Sequence, residues 1–355
     1  MKKKFKISNK IIGDENPSFL IAEIGSNHNR DKETVFKLID ATADAGFDAV
    51  KFQIYDAAEA FSKHETTTDV GLDHLYGHKP WWEIARDKIL MPREWFGEMF
   101  EYAKTKKLIP LSAIHRPEDC EFLLEYGLAA IKIASIDFTY YQLLEKLIKK
   151  FDLPLIISSG MANEQEIDNT INFLKKHNAN QVCLLHCTSC YPPSSDELNL
   201  NNIKHFKKKY EIPVGYSDHY DEALSSIIAV SLGANIVEKH ITLDKNFPGP
   251  DHPFAIEPHE MKKMVSEIRK LEKMCGSTNR ILSQKEEKNK LMIRRSIVSK
   301  KDIKKGEIIS LDKIKFARPG TGIQTFEFHK IDNSKAKINI PAETIITFDM
   351  VEKLS

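Results

Sequence analysis

The sequence lacks the features that would place it in several specialised classes. It has no apolar run close to the roughly 20 residues that a membrane-spanning helix needs, and its basic start, MKKKFKISNK, leads into polar-interrupted sequence. Its 52 basic and 51 acidic side chains leave a net charge of +1, so the broad positive field that holds nucleic acid is missing. Five cysteines, an odd number, argue against a disulfide framework. We therefore expect a cytoplasmic protein without a secretory signal that binds neither membrane nor nucleic acid.

Short β-branched runs alternate with longer amphipathic runs along most of the chain. The predicted strands cover 19–25, 48–55, 108–114, 129–135, 153–160, 182–187, 212–218 and 235–242. The predicted helices cover 32–45, 92–106, 116–126, 138–151, 163–177, 199–210, 221–232 and 258–275. Eight such units in series predict an α/β fold, a (β/α)₈ TIM barrel. A doubly wound sheet is the weaker alternative, because no early glycine-rich phosphate loop is present.

The remaining sequence divides the chain further. Residues 1–13 are typical of a small hairpin that covers the bottom of the barrel. The long segment 56–91 leaves the second strand at the end where barrel enzymes work, so we expect it to be functional, the alternative being a peripheral excursion. We place the barrel at 1–282, a charged linker at 283–295 and a small β-rich domain at 296–355.

Charged side chains lie within strands that are otherwise apolar. Lys51 and Lys132 occupy the second and fourth strands, where an unpaired ammonium would be costly. One interpretation is an internal ion pair with Glu23 or Glu238. Two strand lysines close to clustered hydroxyls fit better with a small, multiply charged anion such as a phosphorylated carboxylate.

Two histidines end neighbouring strands. His219 and His240 can therefore converge on one point, and neutral imidazole is a common ligand of transition metals. With only two nitrogens in the set, the residues favour Mn²⁺ or a similar divalent ion over a closed zinc site. The structural alternative is a pair of ordinary core or surface histidines.

A third pattern supports a hypothesis of a different class. Cys183, Cys187 and Cys190 have the spacing by which radical S-adenosylmethionine enzymes hold an iron–sulfur cluster. Cys183 begins a strand, however, whereas such ligands lie together on an irregular loop. Small buried thiols are the simpler interpretation.

Eight motifs in order give the chain a wider resemblance. They are FLIAEIGSNHN (19–29), AVKFQ (49–53), IKIAS (131–135), ISSGM (157–161), LLHCTSCYP (184–192), GYSDH (215–219), VEKHITLDK…PGPDH (237–252) and SIVSKKDIKKGEIIS…KFARPGTG (296–322). In these motifs the chain resembles the sialic acid synthase family, the N-acetylneuraminate and related nonulosonate synthases, over essentially its whole length.

The resemblance implies a specific reaction and assembly. Such enzymes condense phosphoenolpyruvate with an open-chain N-acylated aldose, releasing phosphate and forming a nine-carbon 2-keto-3-deoxy sugar acid for glycan biosynthesis. It implies a barrel followed by an antifreeze-like SAF domain, in a homodimer whose small domains are swapped and cap the partner's barrel. A divalent metal, with Mn²⁺ first and Mg²⁺ or Co²⁺ as alternatives, would be held by His219 and His240.

The resemblance also assigns residues. It implies catalytic roles for Glu23, Lys51, Lys132 and Asp137, and substrate binding by Gln53, Ser135, Ser158, Ser189, Tyr191, Asp251 and Arg318. His186 is a further candidate at the edge of this site.

The sequence departs from the family pattern at three positions. Arg30 stands where glycine usually closes the first motif, Ala113 replaces a hydroxyl residue, and Ser189 stands where asparagine is common. We interpret these changes as altered sugar recognition. The alternatives are a legionaminic or pseudaminic acid synthase, a synthase for a 6-phosphorylated sugar, or a sugar-binding protein that has lost turnover.

The resemblance makes a testable assignment for the small domain. Arg318→Ala should raise the KM for the sugar far more than the KM for phosphoenolpyruvate, because the implied contact is with the N-acyl group. Steady-state kinetics of the variant measure both constants. Unchanged values for both substrates would remove Arg318 from the site.

Overall fold

The structure, a computed structural model, describes residues 1–352. It divides into two compact units, Met1–Gly276 and a second that begins at Ser277. The strands are β1 Phe5–Ile7, β2 Lys10–Ile12, β3 Phe19–Glu23, β4 Ala49–Gln53, β5 Ile109–Ala113, β6 Ile131–Ile133, β7 Leu155–Ser158, β8 Val182–Cys187, β9 Val214–Asp218, β10 Ile236–His240, β11 Ser296–Ser299 and β12 Ile314–Ala317.

The helices complete the alternating pattern. They are α1 Lys32–Ala45, α2 Ala57–Ala60, α3 Asp73–Tyr76, α4 Trp81–Ile84, α5 Phe96–Thr105, α6 Pro117–Leu124, α7 Tyr141–Lys150, α8 Glu164–Lys176, α9 Asn202–Tyr210, α10 Leu224–Ser231, α11 Pro258–Cys275 and α12 Gln284–Ile293. Within residues 1–352, no helix has both the length and the apolar character that crossing a bilayer requires.

The strands β3 to β10 form a closed parallel barrel in chain order, sealed where β10 pairs with β3. Each strand is followed by a helix that packs on its outer face, which confirms the predicted (β/α)₈ barrel. Local sequence sets the helix starts: Asp31 caps α1, and the Asn163 side chain and Glu166 form a capping box at α8.

The predicted N-terminal hairpin is present as the antiparallel pair β1 and β2. Its side chains Phe5, Ile7 and Ile12 belong to the same buried apolar cluster as the inward-facing residues of the barrel strands, among them Phe19 and Ile21. The hairpin therefore closes the N-terminal end of the barrel, as the sequence predicts.

The second unit has its own core. It contains helix α12 and the antiparallel pair β11 and β12. Its buried cluster is rich in isoleucine, with Ile297, Ile309 and Ile346 fully buried. This is the small β-rich domain expected from the sequence.

The hairpin makes a stability prediction. Ile7→Ala should lower the apparent free energy of unfolding by about 2–5 kcal/mol, because it leaves a cavity at a fully buried position. Urea denaturation measures the change. Ile11→Ala is the matched control on the same hairpin, since Ile11 is 43% exposed, and its effect should stay within about 0.5 kcal/mol. Equal losses in both variants would contradict the closure of the barrel by this hairpin.

Candidate active site

The two-residue repeat of the barrel strands sorts their side chains into rows along the barrel axis. On β3 the inward row is Phe19, Ile21 and Glu23, and on β10 it includes Ile236 and Glu238. Both rows begin apolar near the hairpin and become charged towards the carboxyl ends of the strands. The charged layer therefore lies in the barrel interior at the end where barrel enzymes carry out chemistry.

Four buried charged side chains form an ion cluster in this layer, which we call the axial cluster. The Nζ atom of Lys51 lies 2.7 Å from Oε2 of Glu23 and 3.5 Å from Oε2 of Glu238. The Nζ atom of Lys132 lies 3.7 Å from Oε1 of Glu238, which also accepts a hydrogen bond from Ser217 at 3.0 Å. Both strand lysines therefore have carboxylate partners, as the ion-pair interpretation of the sequence proposed.

The two carboxyl groups of the axial cluster are electrostatically different. Burial raises the pKa of Glu23 above its usual range, although Lys51 opposes this. Burial acts in the same direction on Glu238, but Lys132 and Lys51 outweigh it and hold the pKa of Glu238 at about 2. One carboxyl group is thus suited to carry and release a proton, while the other stays ionised.

The pKa values of the two lysines are also shifted in opposite directions. Burial acts to lower the pKa of Lys51, but Glu23 and Glu238 outweigh it and raise that pKa. Burial lowers the pKa of Lys132, which shares Glu238 with Lys51. Lys51 is therefore the permanent cation of the axial cluster.

Two hydroxyl groups border Gly160, which lies two residues after the buried Ser158 of β7. The Oγ atoms of Ser158 and Ser189 are buried and have no hydrogen-bond partner among the described residues. A side chain at Gly160, whose φ is +44°, would place its Cβ 2.2 Å from Cβ of Ser135 and 2.7 Å from Oγ of Ser189. The absence of a side chain at Gly160 leaves a small polar cradle, suited to the oxygens of an anion.

His219 and His240 come together as predicted, with ring centroids 5.3 Å apart. Nδ1 of His240 is buried without a hydrogen-bond partner in the described chain and lies 3.8 Å from Oδ2 of Asp251. Burial lowers the pKa of His240 to about 3, so its ring is neutral, the form that binds metals. Nδ1 of His219 contacts the carbonyl oxygen of Thr188 at 3.1 Å, which leaves Nε2 as its free ring nitrogen.

This donor set of two imidazoles and a carboxylate fits a divalent transition metal. The pKa of His219 is raised, because its contact with the Cys187 thiol outweighs burial, so a cation would compete with a proton for this ring. A different group of possible metal ligands lies at the start of α11. Among the described residues, Glu257, His259 and Glu260 have ligand atoms within 4.8 Å of one another. Acidic groups at a helix surface commonly lie together without a metal, so we assign that group no role.

Other predicted residues lie in or near the same layer. Gln53 donates a hydrogen bond to Oε1 of Glu23 at 2.7 Å, so it holds the carboxyl group. Asp251 accepts two hydrogen bonds from Ser26, at 3.0 and 2.8 Å. The ring of Tyr191 is half-exposed and its centroid lies 4.4 Å from that of His219.

Two further predicted residues have other surroundings. The carboxylate of Asp137 is hydrogen-bonded to Nδ1 of His115 at 2.5 Å. Arg318 follows β12 in the second unit, where it is exposed. Its assigned contact with a sugar stays a prediction.

His186 does not face the barrel interior. It lies on the outer side of β8, where its Nε2 contacts the carbonyl oxygen of Leu198 at 2.7 Å and its ring stacks on Tyr216. The inward residues of that strand are Cys183, Leu185 and Cys187, and alternation alone could have excluded His186. Its role is structural.

The three cysteines of the radical-enzyme hypothesis do not converge. Cys183 lies in the apolar interior of the barrel, Cys187 contacts Ser135 and His219, and Cys190 is exposed. They form no metal-ligating group among the described residues. The structure therefore gives no support to an iron–sulfur cluster.

Arg30, one of the departures from the family pattern, anchors the segment 56–91. Its Nη1 donates to the carbonyl oxygens of Arg86 and Leu90, at 2.5 and 2.8 Å. The segment itself contains α2, α3 and α4. The role of segment 56–91 in substrate choice stays a prediction. Its C-terminal end is hydrogen-bonded to Arg30, which lies in the loop after β3.

Sequence reasoning missed several residues of this layer. Glu238 was considered only as an ion-pair partner, and Ser217, His115 and Tyr55 were not assigned a role. The available signal was the two-residue alternation, which puts Ser217, Glu238 and His240 in inward rows. The same rule, continued two residues beyond the observed ends of β4 and β5, places Tyr55 and His115 in inward rows.

The axial cluster makes a pH-dependent prediction. Because the pKa of Glu238 is held at about 2, below its ordinary value of 4.5, this carboxylate stabilises the folded state above about pH 4.5 and loses that effect as the pH falls towards 2. Glu238→Gln should therefore cost roughly 3 kcal/mol at pH 7, and the difference from wild type should shrink in acid.

Urea denaturation at a series of pH values measures this difference. Glu222→Gln is the matched control, because Glu222 lies in the loop after β9 and is exposed. The control should show no such dependence. A loss in Glu238→Gln that is the same at pH 7 and pH 3 would contradict the ionised state of this group.

Comparisons with known proteins agree with the geometry. The NeuB family profile matches residues 38–280 and the SAF domain profile matches residues 294–352. An uncharacterized protein of Methanocaldococcus jannaschii is 40% identical over 349 residues, 98% of each chain. The N,N'-diacetyllegionaminic acid synthase of Campylobacter jejuni is 36% identical over 331 residues, 93% of this chain and 98% of that protein.

A solved structure extends the likeness to the fold. The N-acetylneuraminic acid synthetase of Leptospira borgpetersenii, in complex with citrate, aligns with a TM-score of 0.71 at 31% identity, over 81% of this chain and 95% of that one. The resemblance read from the eight motifs is thereby confirmed. The chain belongs to the NeuB family and carries a SAF domain after its barrel.

Proposed function

We propose that this chain condenses phosphoenolpyruvate with an open-chain N-acylated aldose to give a nine-carbon 2-keto-3-deoxy sugar acid and phosphate. One observation carries the proposal: the barrel holds both the axial cluster and two buried hydroxyls without partners among the described residues, those of Ser158 and Ser189, at or after the carboxyl ends of its strands. The synthases of Campylobacter jejuni and Leptospira borgpetersenii support it by their names and similarity.

The charges of the axial cluster suit an incoming anion. With Glu23 protonated, as its raised pKa favours, the two lysines face one ionised carboxylate, Glu238. The cluster then carries one net positive charge, which would attract the anionic phosphoenolpyruvate. The Ser158 and Ser189 hydroxyls would donate to its oxygens, which removes the cost of leaving them unpaired.

The bond changes of the reaction give Glu23 its role. The methylene carbon of phosphoenolpyruvate forms a bond to the aldehyde carbon, whose oxygen takes up a proton and becomes a hydroxyl. Water then adds to the electron-poor C2 carbon and loses a proton, and the C–O bond to phosphate breaks to leave a ketone. Glu23, held by Lys51 and Gln53, would first give its proton to the aldehyde oxygen and, once ionised, take the proton from this water.

His219 and His240, beside Asp251, are the residues that would hold a divalent cation, with Mn²⁺ first and Mg²⁺ or Co²⁺ as alternatives. Such a cation supplies Lewis acidity to a carbonyl oxygen. We also propose the swapped homodimer, in which Arg318 of a second copy would reach the sugar. Its exposed position leaves the guanidinium free to do so.

The first experiment measures phosphate release from phosphoenolpyruvate in the presence of Mn²⁺. The panel contains N-acetylmannosamine, its 6-phosphate and the two diacetamido-trideoxy hexoses that lead to legionaminic and pseudaminic acids. The legionaminic precursor is tested first, because of the 36% identity to the Campylobacter jejuni enzyme. Release that depends on one sugar supports the proposal and identifies the substrate. Sugar binding without release from any member would instead support a binding protein that has lost turnover.

Removal of a proposed metal ligand gives a second prediction. His219→Ala should lose most turnover and bind Mn²⁺ at least tenfold more weakly, because one of two imidazole ligands is gone. Electron paramagnetic resonance of free Mn²⁺ measures binding without turnover. His205→Ala, at an exposed histidine on α9, is the control. Unchanged Mn²⁺ affinity in His219→Ala would exclude this histidine as a ligand.

A further inference from the structure

Two aromatic side chains form a layer above the axial cluster. Tyr55 lies two residues beyond Gln53 on the inward row of β4, and His115 lies two residues beyond Ala113 on the inward row of β5. The ladder continues past β5, since the amide of Ile114 donates to the carbonyl oxygen of Lys132. The Tyr55 and His115 rings stack with their centroids 3.7 Å apart and their planes 18° apart.

A carboxylate fixes the hydrogen position on this imidazole. Nδ1 of His115 lies 2.5 Å from Oδ2 of Asp137, in the turn that follows β6. A carboxylate only accepts hydrogen bonds, so Nδ1 carries the hydrogen. Nε2 then presents a lone pair in the neutral ring. Burial lowers the pKa of His115 and outweighs Asp137, which favours this neutral form.

The lone pair on Nε2 has no partner. The His115 side chain is only 7% exposed, and its Nε2 is buried without a hydrogen bond among the described residues. An unpaired polar atom in such a place is destabilising unless a ligand supplies the missing bond. The missing group must be a donor, because Nε2 can only accept.

We propose that His115 is a specificity-determining contact for the sugar: its Nε2 accepts a hydrogen bond from a hydroxyl or amide N–H of the open-chain aldose, and Asp137 positions the ring. The inference rests on the proposed function, whose second substrate offers such donors. It excludes a carbonyl or phosphate oxygen of the sugar from this point, since two acceptors would then meet.

Three variants separate this role from a structural one. His115→Phe keeps a flat ring to stack on Tyr55 and removes the acceptor, whereas His115→Gln retains an acceptor oxygen. Asp137→Asn replaces the carboxylate by an amide, which can offer Nδ1 either its oxygen or its NH2 group, so the ring hydrogen is no longer fixed on Nδ1. His177→Phe is the matched control. His177 also stacks on an aromatic ring, Phe173, and lies 3.9 Å from a carboxylate, but it directly follows the outer helix α8.

The kinetic test uses the full chain with phosphoenolpyruvate and the accepted sugar. His115→Phe and Asp137→Asn should each lower kcat/KM for the sugar about tenfold, the effect of one neutral hydrogen bond. In His115→Phe the change should lie in the KM for the sugar, with an unchanged kcat and an unchanged KM for phosphoenolpyruvate, and His115→Gln should show partial recovery. A fall in kcat with both KM values unchanged would overturn the proposal, as would the same losses in His177→Phe.

Sugar analogues make the test specific. Each analogue lacks one hydroxyl or carries an N-methyl group in place of the amide hydrogen. One of them should cost wild type about tenfold in kcat/KM and cost His115→Phe nothing further, because the same hydrogen bond is already absent. Equal penalties in both proteins for every analogue would show that His115 contacts none of these groups.

Binding without turnover keeps the inference separate from the proposed function. Calorimetry with borohydride-reduced panel sugars, which have no aldehyde and cannot react, gives Kd for wild type, His115→Phe and His177→Phe. About tenfold weaker binding in His115→Phe alone supports the sugar contact even where no phosphate is released. Equal binding in all three proteins would overturn the contact even where the condensation is established.

Discussion

The candidate site depends on the compensation of two ammonium groups buried in the axis of the barrel. Lys51 and Lys132 would be prohibitively costly there without opposite charge, and Glu23 and Glu238 supply it at distances between 2.7 and 3.7 Å. The parallel register brings this about, since Glu23 pairs directly with Lys51 on neighbouring strands. The ion pairs of the polar layer therefore depend on the pairing of neighbouring barrel strands as well as on the presence of charged residues in those strands.

The two carboxyl groups do not share the charge of the lysines equally, and this difference affects how the cluster can bind an anion. Glu238 serves both lysines and remains ionised, whereas Glu23 has Lys51 and Gln53 as partners and a raised pKa. A fully paired, rigid cluster would have little affinity for an anion. A cluster in which one carboxyl group takes up a proton can receive a negative charge without leaving an ammonium unpaired, which suits a phosphorylated carboxylate.

Different layers of the barrel have different physical roles. Apolar rows and the hairpin seal the N-terminal end, and the axial cluster and hydroxyl cradle form the layer above. Two pairs lie at the carboxyl ends of the strands: His219 with His240, and His115 with Asp137. In each pair a histidine has a ring nitrogen without a partner among the described residues, Nδ1 in His240 and Nε2 in His115. Such a nitrogen is available to an external ligand. His186 differs from these residues, because its Nε2 is already hydrogen-bonded to the carbonyl oxygen of Leu198 within the chain.

The sequence by itself determined the eight strands, the hairpin, the small second domain and the inward row of each strand, because these depend on local periodicity. It also singled out Lys51, Lys132, His219 and His240, but not His115. Only the tertiary structure decided how the charges are shared: that Glu238 serves two lysines, that Asp137 is held by His115, and that Gln53 holds Glu23. These are distances between strands far apart in the chain, and alternation places a side chain on a face without choosing its partner across the barrel.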